Sequence, residues 1–235
     1  MTGREESLFV SLVLVYLAYF MCSPLVGYAR AFVAGKMGDD TPEQMGFLTL
    51  NPFEHVSRWW LFLIGFLQIS SGYFPFGLSR HIPINQHNIQ GENRPLKLLA
   101  AYFSDTVAAL GISIISYFIL IVFIGPDVLN YASHLFSLHY FSKDVSTYAI
   151  VLALLIHTCY TMAYLMAALS VIINLFHYFY ALYFEDYFQD SDYADMIMLF
   201  GPLLILYLII MPVIFSVQTF VVWIAQCLAH LVGIL

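Results

Sequence analysis

Few residues in this chain could do chemistry, and they are scattered through long apolar runs. The stretch L-V-G-Y-A-R-A-F-V-A-G-K-M-G-D-D, residues 25–40, ends the first such run with an arginine, a lysine and two aspartates. Asp105 stands inside a second run, Leu96 to Ile124. An ionisable side chain at membrane depth is costly, is normally paired, and is a functional candidate by default. Arg30 and Asp105, on successive full-length runs, are therefore expected to meet directly or through water. The alternative is that Arg30 reaches the interface along its aliphatic stem.

The eight histidines are His55, His81, His87, His134, His139, His157, His177 and His230. His81 and His87 flank I-P-I-N and could converge, but no Cys or close carboxylate completes a ligand set. His157 and His177 share one apolar segment at a separation too great for one helical site. Each histidine reads first as hydrogen-bonded or interfacial. A histidine pair with Asp105 or Asp186 is the remaining metal alternative. Cys22, Cys159 and Cys227 are odd in number and each lies in an apolar run, which suits buried thiols and not a disulfide framework. G-x-S-x-G and C-x-x-C are absent, and no serine–histidine triad, phosphate loop or haem ligand pair stands out.

The elements that must position these groups are membrane helices. Of 235 residues, 61% are hydrophobic and 10% charged, where a soluble domain carries about 25% charge. Mean hydropathy is +0.83. The reading is an all-α integral membrane protein with about four transmembrane helices. Spans are expected over Leu8 to about Ala34, Leu96 to Ile124, Val145 to about Phe184, and Met196 to about Val222, the last with kinks at Pro202 and Pro212. The N-terminal run lacks the shape of a signal peptide and is expected to be a retained first helix. Trp59 to Ile69 is too short to cross and suits a re-entrant or interfacial helix, its tryptophans at headgroup level. Gly46–Val56 and Phe76–Ile89 mix β-branched residues, Pro and Asn, and are expected to form short extended pieces or turns.

Charge gives orientation. Arg30, Lys36, Arg58, Arg80, Arg94 and Lys97 are six of the eight Lys and Arg, so the segment they bracket is expected on the cytoplasmic side. Glu185, Asp186, Asp190, Asp192 and Asp195 form an acidic stretch read first as a solvated turn and second as a loop for a basic partner. The net charge of −7 argues against nucleic acid.

Four stretches, in order, then carry a resemblance. Val26–Pro42 reads V-G-Y-A-R-A-F-V-A-G-K-M-G-D-D-T-P; Gly46–Val56 reads G-F-L-T-L-N-P-F-E-H-V; Phe76–Ile89 reads F-G-L-S-R-H-I-P-I-N-Q-H-N-I; Ala100–Asp105 reads A-A-Y-F-S-D. They resemble the site-2 protease family of intramembrane zinc metallopeptidases, and within it the small bacterial group without a PDZ domain. That family has H-E-F-A-H-A-x-V-A-x-x-x-G-D-x-T-P, G-R-L-T-L-N-P-x-x-H-I, F-G-W-A-K-P-V-P-V-N-P-x-x-F and A-G-P-x-S-N at these places. The resemblance implies a membrane-embedded helical core with a small β-sheet between its first helices. It also implies one polytopic domain over 1–235, with the core at about 8–190 and an extra C-terminal helix at 196–235.

The family's chemistry needs two His and one Glu in H-E-x-x-H, plus an Asp in L-D-G after N-x-x-P-x-x-P. The matching positions hold Val26, Gly27 and Arg30. Near Asn174, His177, Tyr180, Leu182 and Tyr183 stand where Pro, Pro, Asp and Gly belong, with Asp186 four residues beyond the Asp position. Asp105 falls where the family has a polar Asn, and His55 where it also has His. Zinc and proteolysis are therefore not expected. The sequence reads as a degenerate member, a pseudoprotease of the bacterial inner membrane serving as a binding, scaffold or assembly subunit for another membrane protein. Arg30, Asp105, Asn51, His55, Asn85 and Asn174 are its candidate polar residues. A metallopeptidase with a displaced site and a small transporter or channel component are the alternatives.

Overall fold

The computed structural model describes residues 3–71, 75–125, 147–184 and 194–233. Helix α1 (Gly3–Met37) is followed by two single turns, α2 (Thr41–Gln44) and α3 (Pro52–His55), and by α4 (Arg58–Ser71). Then come α5 (Arg94–Ile124), α6 (Thr147–Phe179), a π-helical turn (Tyr180–Phe184) that prolongs α6, and α7 (Ala194–Leu231). Four helical stretches are long and apolar enough to cross a membrane: Leu8–Met37, Arg94–Ile124, Tyr148–Tyr183 and Met211–Leu231.

Helix α1 continues through Pro24, Gly27 and Arg30, because the neighbouring helices and the connecting segment pack against it on several sides. It ends at Gly38, whose φ of 109° suits a residue without a side chain. The core forms where α1 meets α5 and α6, around Tyr19, Cys22, Val26, Ala109, Met162 and Met166. On the far side, Val221, Ala225 and Ala229 of α7 pack on Tyr117 and Tyr160. Their i, i+4, i+8 spacing puts small residues where two helices approach closely. Helix α7 runs through Pro202 and Pro212 and carries the apolar tail on to Leu231.

Helix α4 is 14 residues long, about 21 Å, and falls short of a bilayer. Ile64 and Gln68 face α1, where the Tyr16 hydroxyl donates to the Leu61 carbonyl at 2.8 Å. Trp59, Phe62, Phe66 and Ile69 form an exposed apolar stripe on the other side.

The expected β-sheet is not present: no strand occurs among the described residues. The segments 46–56 and 75–89 are extended or turning, and one backbone bond joins them, Arg80 N–H to the His55 carbonyl at 2.6 Å. The reason lies in where their other polar groups go. Pro52 and Pro83 have no N–H to give. The Tyr19 hydroxyl donates to the Leu78 carbonyl at 2.7 Å and accepts from Ser57 N–H at 3.2 Å. Asp39 accepts from Asn85 N–H at 2.7 Å. Side chains at α1 thus satisfy backbone that a ladder would otherwise serve.

Asp39 is the strongest of these anchors. It is fully buried, and its carboxylate takes the Thr41 hydroxyl at 2.6 Å, Thr41 N–H at 3.1 Å and Asn88 Nδ2 at 3.1 Å besides Asn85. It pins the exit of α1 to the 82–89 loop. Asp39→Ala would strand these donors, so unfolding in detergent is expected about 2–3 kcal/mol easier than for wild type. An unchanged midpoint would show the anchor to be dispensable.

Candidate functional site

Three spans are tied at one level by a buried polar knot. Arg30 lies on α1 and is 5% exposed; Asp105 lies on α5 and is 8% exposed. Arg30 Nη1 donates to Asp105 Oδ2 at 2.7 Å and to Asn174 Oδ1, on α6, at 2.9 Å. Asn174 Nδ2 donates to Asp105 Oδ1 at 2.7 Å, closing the triangle, and to Thr106 Oγ1 at 3.1 Å. Asp105 Oδ1 also accepts from Thr106 N–H at 2.6 Å. The expected meeting of Arg30 with Asp105 is direct, so Arg30 does not extend to the interface. Each charge has a bonded counter-charge, as burial demands.

A chain of aromatic rings leads away from the knot. The Tyr102 ring lies 5.8 Å from the Arg30 guanidinium carbon. His177 stacks on Tyr102 at 6.2 Å and 12°, and its ring is 5.7 Å from that of His81. His81 thus neighbours His177 and not His87, which lies exposed in the turn 86–88 and donates its backbone N–H to Asn85 Oδ1 at 3.2 Å. His81 is open on one side and crowded on the other. Loss of hydration there, then the charge of Arg30, pushes its pKa down to about 4 from the ordinary 6.5.

A second knot surrounds His55. The residue is fully buried, and Nε2–H donates to the Thr49 carbonyl at 2.7 Å. Its own carbonyl accepts from Ser23 Oγ at 2.9 Å and from Arg80 N–H. Its ring lies directly on Gly27. A Cβ built on Gly27 would fall on His55 Nδ1, with Cε1 and Cγ at 2.8 and 2.9 Å. Position 27 therefore has no room for any side chain while His55 stays in place. Burial lowers the His55 pKa, the Thr49 hydrogen bond and Glu54 working against the shift.

The two depressed imidazoles give a pH dependence. Protons bind the unfolded chain more readily, near 6.5. The contribution of His81 is therefore complete above pH 6.5 and is lost as the pH falls toward 4, and that of His55 is lost in the same direction. Melting temperature is expected to drop over that window, and His81→Asn to flatten the slope. A slope identical in the variant would remove His81 from the account.

The remaining candidates serve locally. Val26 is buried in the core among Cys22, Val56 and Met166. Asn51 is exposed and caps α3, its Oδ1 accepting from Phe53 N–H at 3.2 Å. Asn85 belongs to the Asp39 anchor. Beyond Asn174 the chain stays helical into the π turn at Tyr180–Phe184, as His177 and Tyr180 in place of proline allow. Asp186, most of the acidic stretch, and the loop with His134 and His139 lie outside the described residues. Among the described residues no group of three His, Cys, Asp or Glu could hold a metal ion. The sequence reading missed Asp39, the Gly27–His55 contact and the His81–His177 pair. The Gly-Asp exit of α1 was the one signal available for the first.

These features define a helical membrane protein whose three packed spans share a buried ion pair. Comparison with known proteins adds one relative. Over 94 residues the chain is 33% identical to "Putative zinc metalloprotease YwhC" of Bacillus subtilis (strain 168). The match covers 40% of this chain and 39% of that protein, so the chain spans well under two thirds of its relative. No family model and no solved structure matches the chain. The similarity supports a relationship of the site-2-protease kind.

Proposed function

We propose that this chain is a catalytically inactive, site-2-protease-like membrane protein that acts as a binding, scaffold or assembly subunit for another integral membrane protein. The observation that carries the reading is the Arg30–Asp105–Asn174 triangle. Arg30 stands at the position of a zinc-binding His in the family pattern, and it is a permanent cation already bonded to a carboxylate. A cation there repels Zn²⁺. Val26 offers no donor, and Gly27 gives up the place of the catalytic carboxylate to the ring of His55. The donor set at these positions does not fit zinc.

The surrounding frame stays in step with the family pattern, from Ala31 to Pro42 and on through L-T-L-N-P and P-I-N. A fold kept while its chemistry is exchanged for a structural bond is suited to holding a partner. The positive segment would face the cytoplasm of a bacterial inner membrane. Native extraction in mild detergent, followed by sizing and mass spectrometry, tests the role. A complex of fixed stoichiometry with a second membrane protein is expected. Recovery of the bare chain, with a zinc-dependent peptidase activity, would overturn the proposal and favour a displaced metal site.

A further inference from the structure

Helix α7 carries a line of polar side chains away from the face that it packs on α5 and α6. The packed face is Val221, Ala225 and Ala229. Ser216, Thr219, Trp223, Gln226 and His230 follow one another at alternating steps of three and four residues, all within the span Met211–Leu231. At 3.6 residues per turn they fall within about 80° of one another, on a line centred about 140° from Ala225. Ser216, Thr219, Trp223 and His230 are exposed, and Gln226 is half-buried. The outward faces of other spans differ: Val13, Leu17 and Met21 on α1, and Val107, Ile115 and Val122 on α5, are apolar and suit lipid.

Hydrocarbon cannot satisfy an amide or an indole N–H. Trp223 and Gln226 have no hydrogen-bond partner among the described residues. Ser216 and Thr219 donate to the Pro212 and Phe215 carbonyls of their own helix at 2.8 and 2.9 Å, which leaves each oxygen able to accept. The three-four repeat is the seam of two helices crossing at about 20°, and Ser, Thr and Gln are residues that bond across membrane helices. The occupant that fits is a second copy of this chain. Copies in one membrane share a topology, so their α7 helices lie parallel about a two-fold axis along the membrane normal. Each seam residue then faces its own counterpart. An amide both donates and accepts, so Gln226 can satisfy the Gln226 of the other copy. The seam holds no Asp, Glu, Lys or Arg, so nothing in it calls for an oppositely charged partner. We propose that α7 forms a parallel homodimer through Ser216, Thr219, Trp223 and Gln226. This contact joins like chains, stands apart from the scaffold role and would survive its failure.

The test uses the full purified chain in phosphatidylcholine vesicles, one batch labelled with a donor dye and one with an acceptor. Energy transfer is read against the ratio of chain to lipid. Saturable transfer with two chains per complex is expected. Gln226→Leu should weaken association about tenfold, because the symmetric pair loses its bonds from both sides. Cross-linking gives an independent reading. With Cys227→Ser as background, Thr219→Cys and Gln226→Cys should each yield a disulfide-linked dimer under copper phenanthroline. Leu228→Cys, exposed on the other flank of α7, should not. Chains that stay monomeric at every lipid ratio overturn the dimer. Cross-linking at 228 as strong as at 219 and 226, or a Gln226→Leu chain that associates as tightly as wild type, overturns the seam.

Discussion

Asp105→Asn should lower the unfolding free energy by about 3–5 kcal/mol, the usual consequence of leaving one member of a buried pair without its counter-charge. The substitution keeps the shape and the Asn174 contact but removes the charge that Arg30 Nη1 meets at 2.7 Å. Arg30→Met should cost a comparable amount by stranding the carboxylate. Arg30→Met with Asp105→Leu should recover most of the loss, because two apolar side chains leave no charge to desolvate. The measurement is a denaturant or thermal transition of each variant in one detergent. Single variants as stable as wild type would mean that the pair does not hold α1, α5 and α6 together.

Gly27→Ala is the second large effect, and its sign runs against helix propensity. In an exposed helix interior, Gly→Ala stabilises by about 1 kcal/mol. Here the new Cβ would land on the His55 imidazole, and overpacking of that kind costs about 1–3 kcal/mol or more. Clash therefore wins. Gly35→Ala in the same helix is the control, since a Cβ there meets nothing within 4 Å, and it should be neutral or stabilising. Adding His55→Ala to Gly27→Ala should give a loss smaller than the two single losses summed, by more than about 1 kcal/mol, as expected for residues in contact. Strict additivity would break the proposed link. Gly27→Glu, with a larger side chain, should be worse than Gly27→Ala for the same reason.

The parts of this molecule readable from the sequence are those governed by the cost of burying polarity. An arginine and an aspartate on successive apolar helices have few ways to be satisfied, so their meeting could be inferred. The short helix near Trp59 was legible because length alone prevents it from crossing. The missing sheet shows the limit of composition. β-branched residues and prolines correctly indicated extended backbone, but whether such backbone pairs depends on what else offers hydrogen bonds. Here Tyr19 of the first helix and Asp39 just beyond its end do so. The contact of Gly27 with His55 joins residues far apart in sequence, and a glycine gives no sign of what approaches it. His81 was weighed against nearby His87, while its neighbour, His177, arrives from a helix almost 100 residues later. The absence of proline between Asn174 and Phe184 was visible, and an unbroken helix with a π turn follows from it.

The most direct test of the account is the native mass of the particle released from a nanodisc after purification with zinc in excess. The account predicts the mass of this chain with a second membrane protein in fixed ratio and no zinc. The mass of this chain alone carrying one zinc per copy would contradict it.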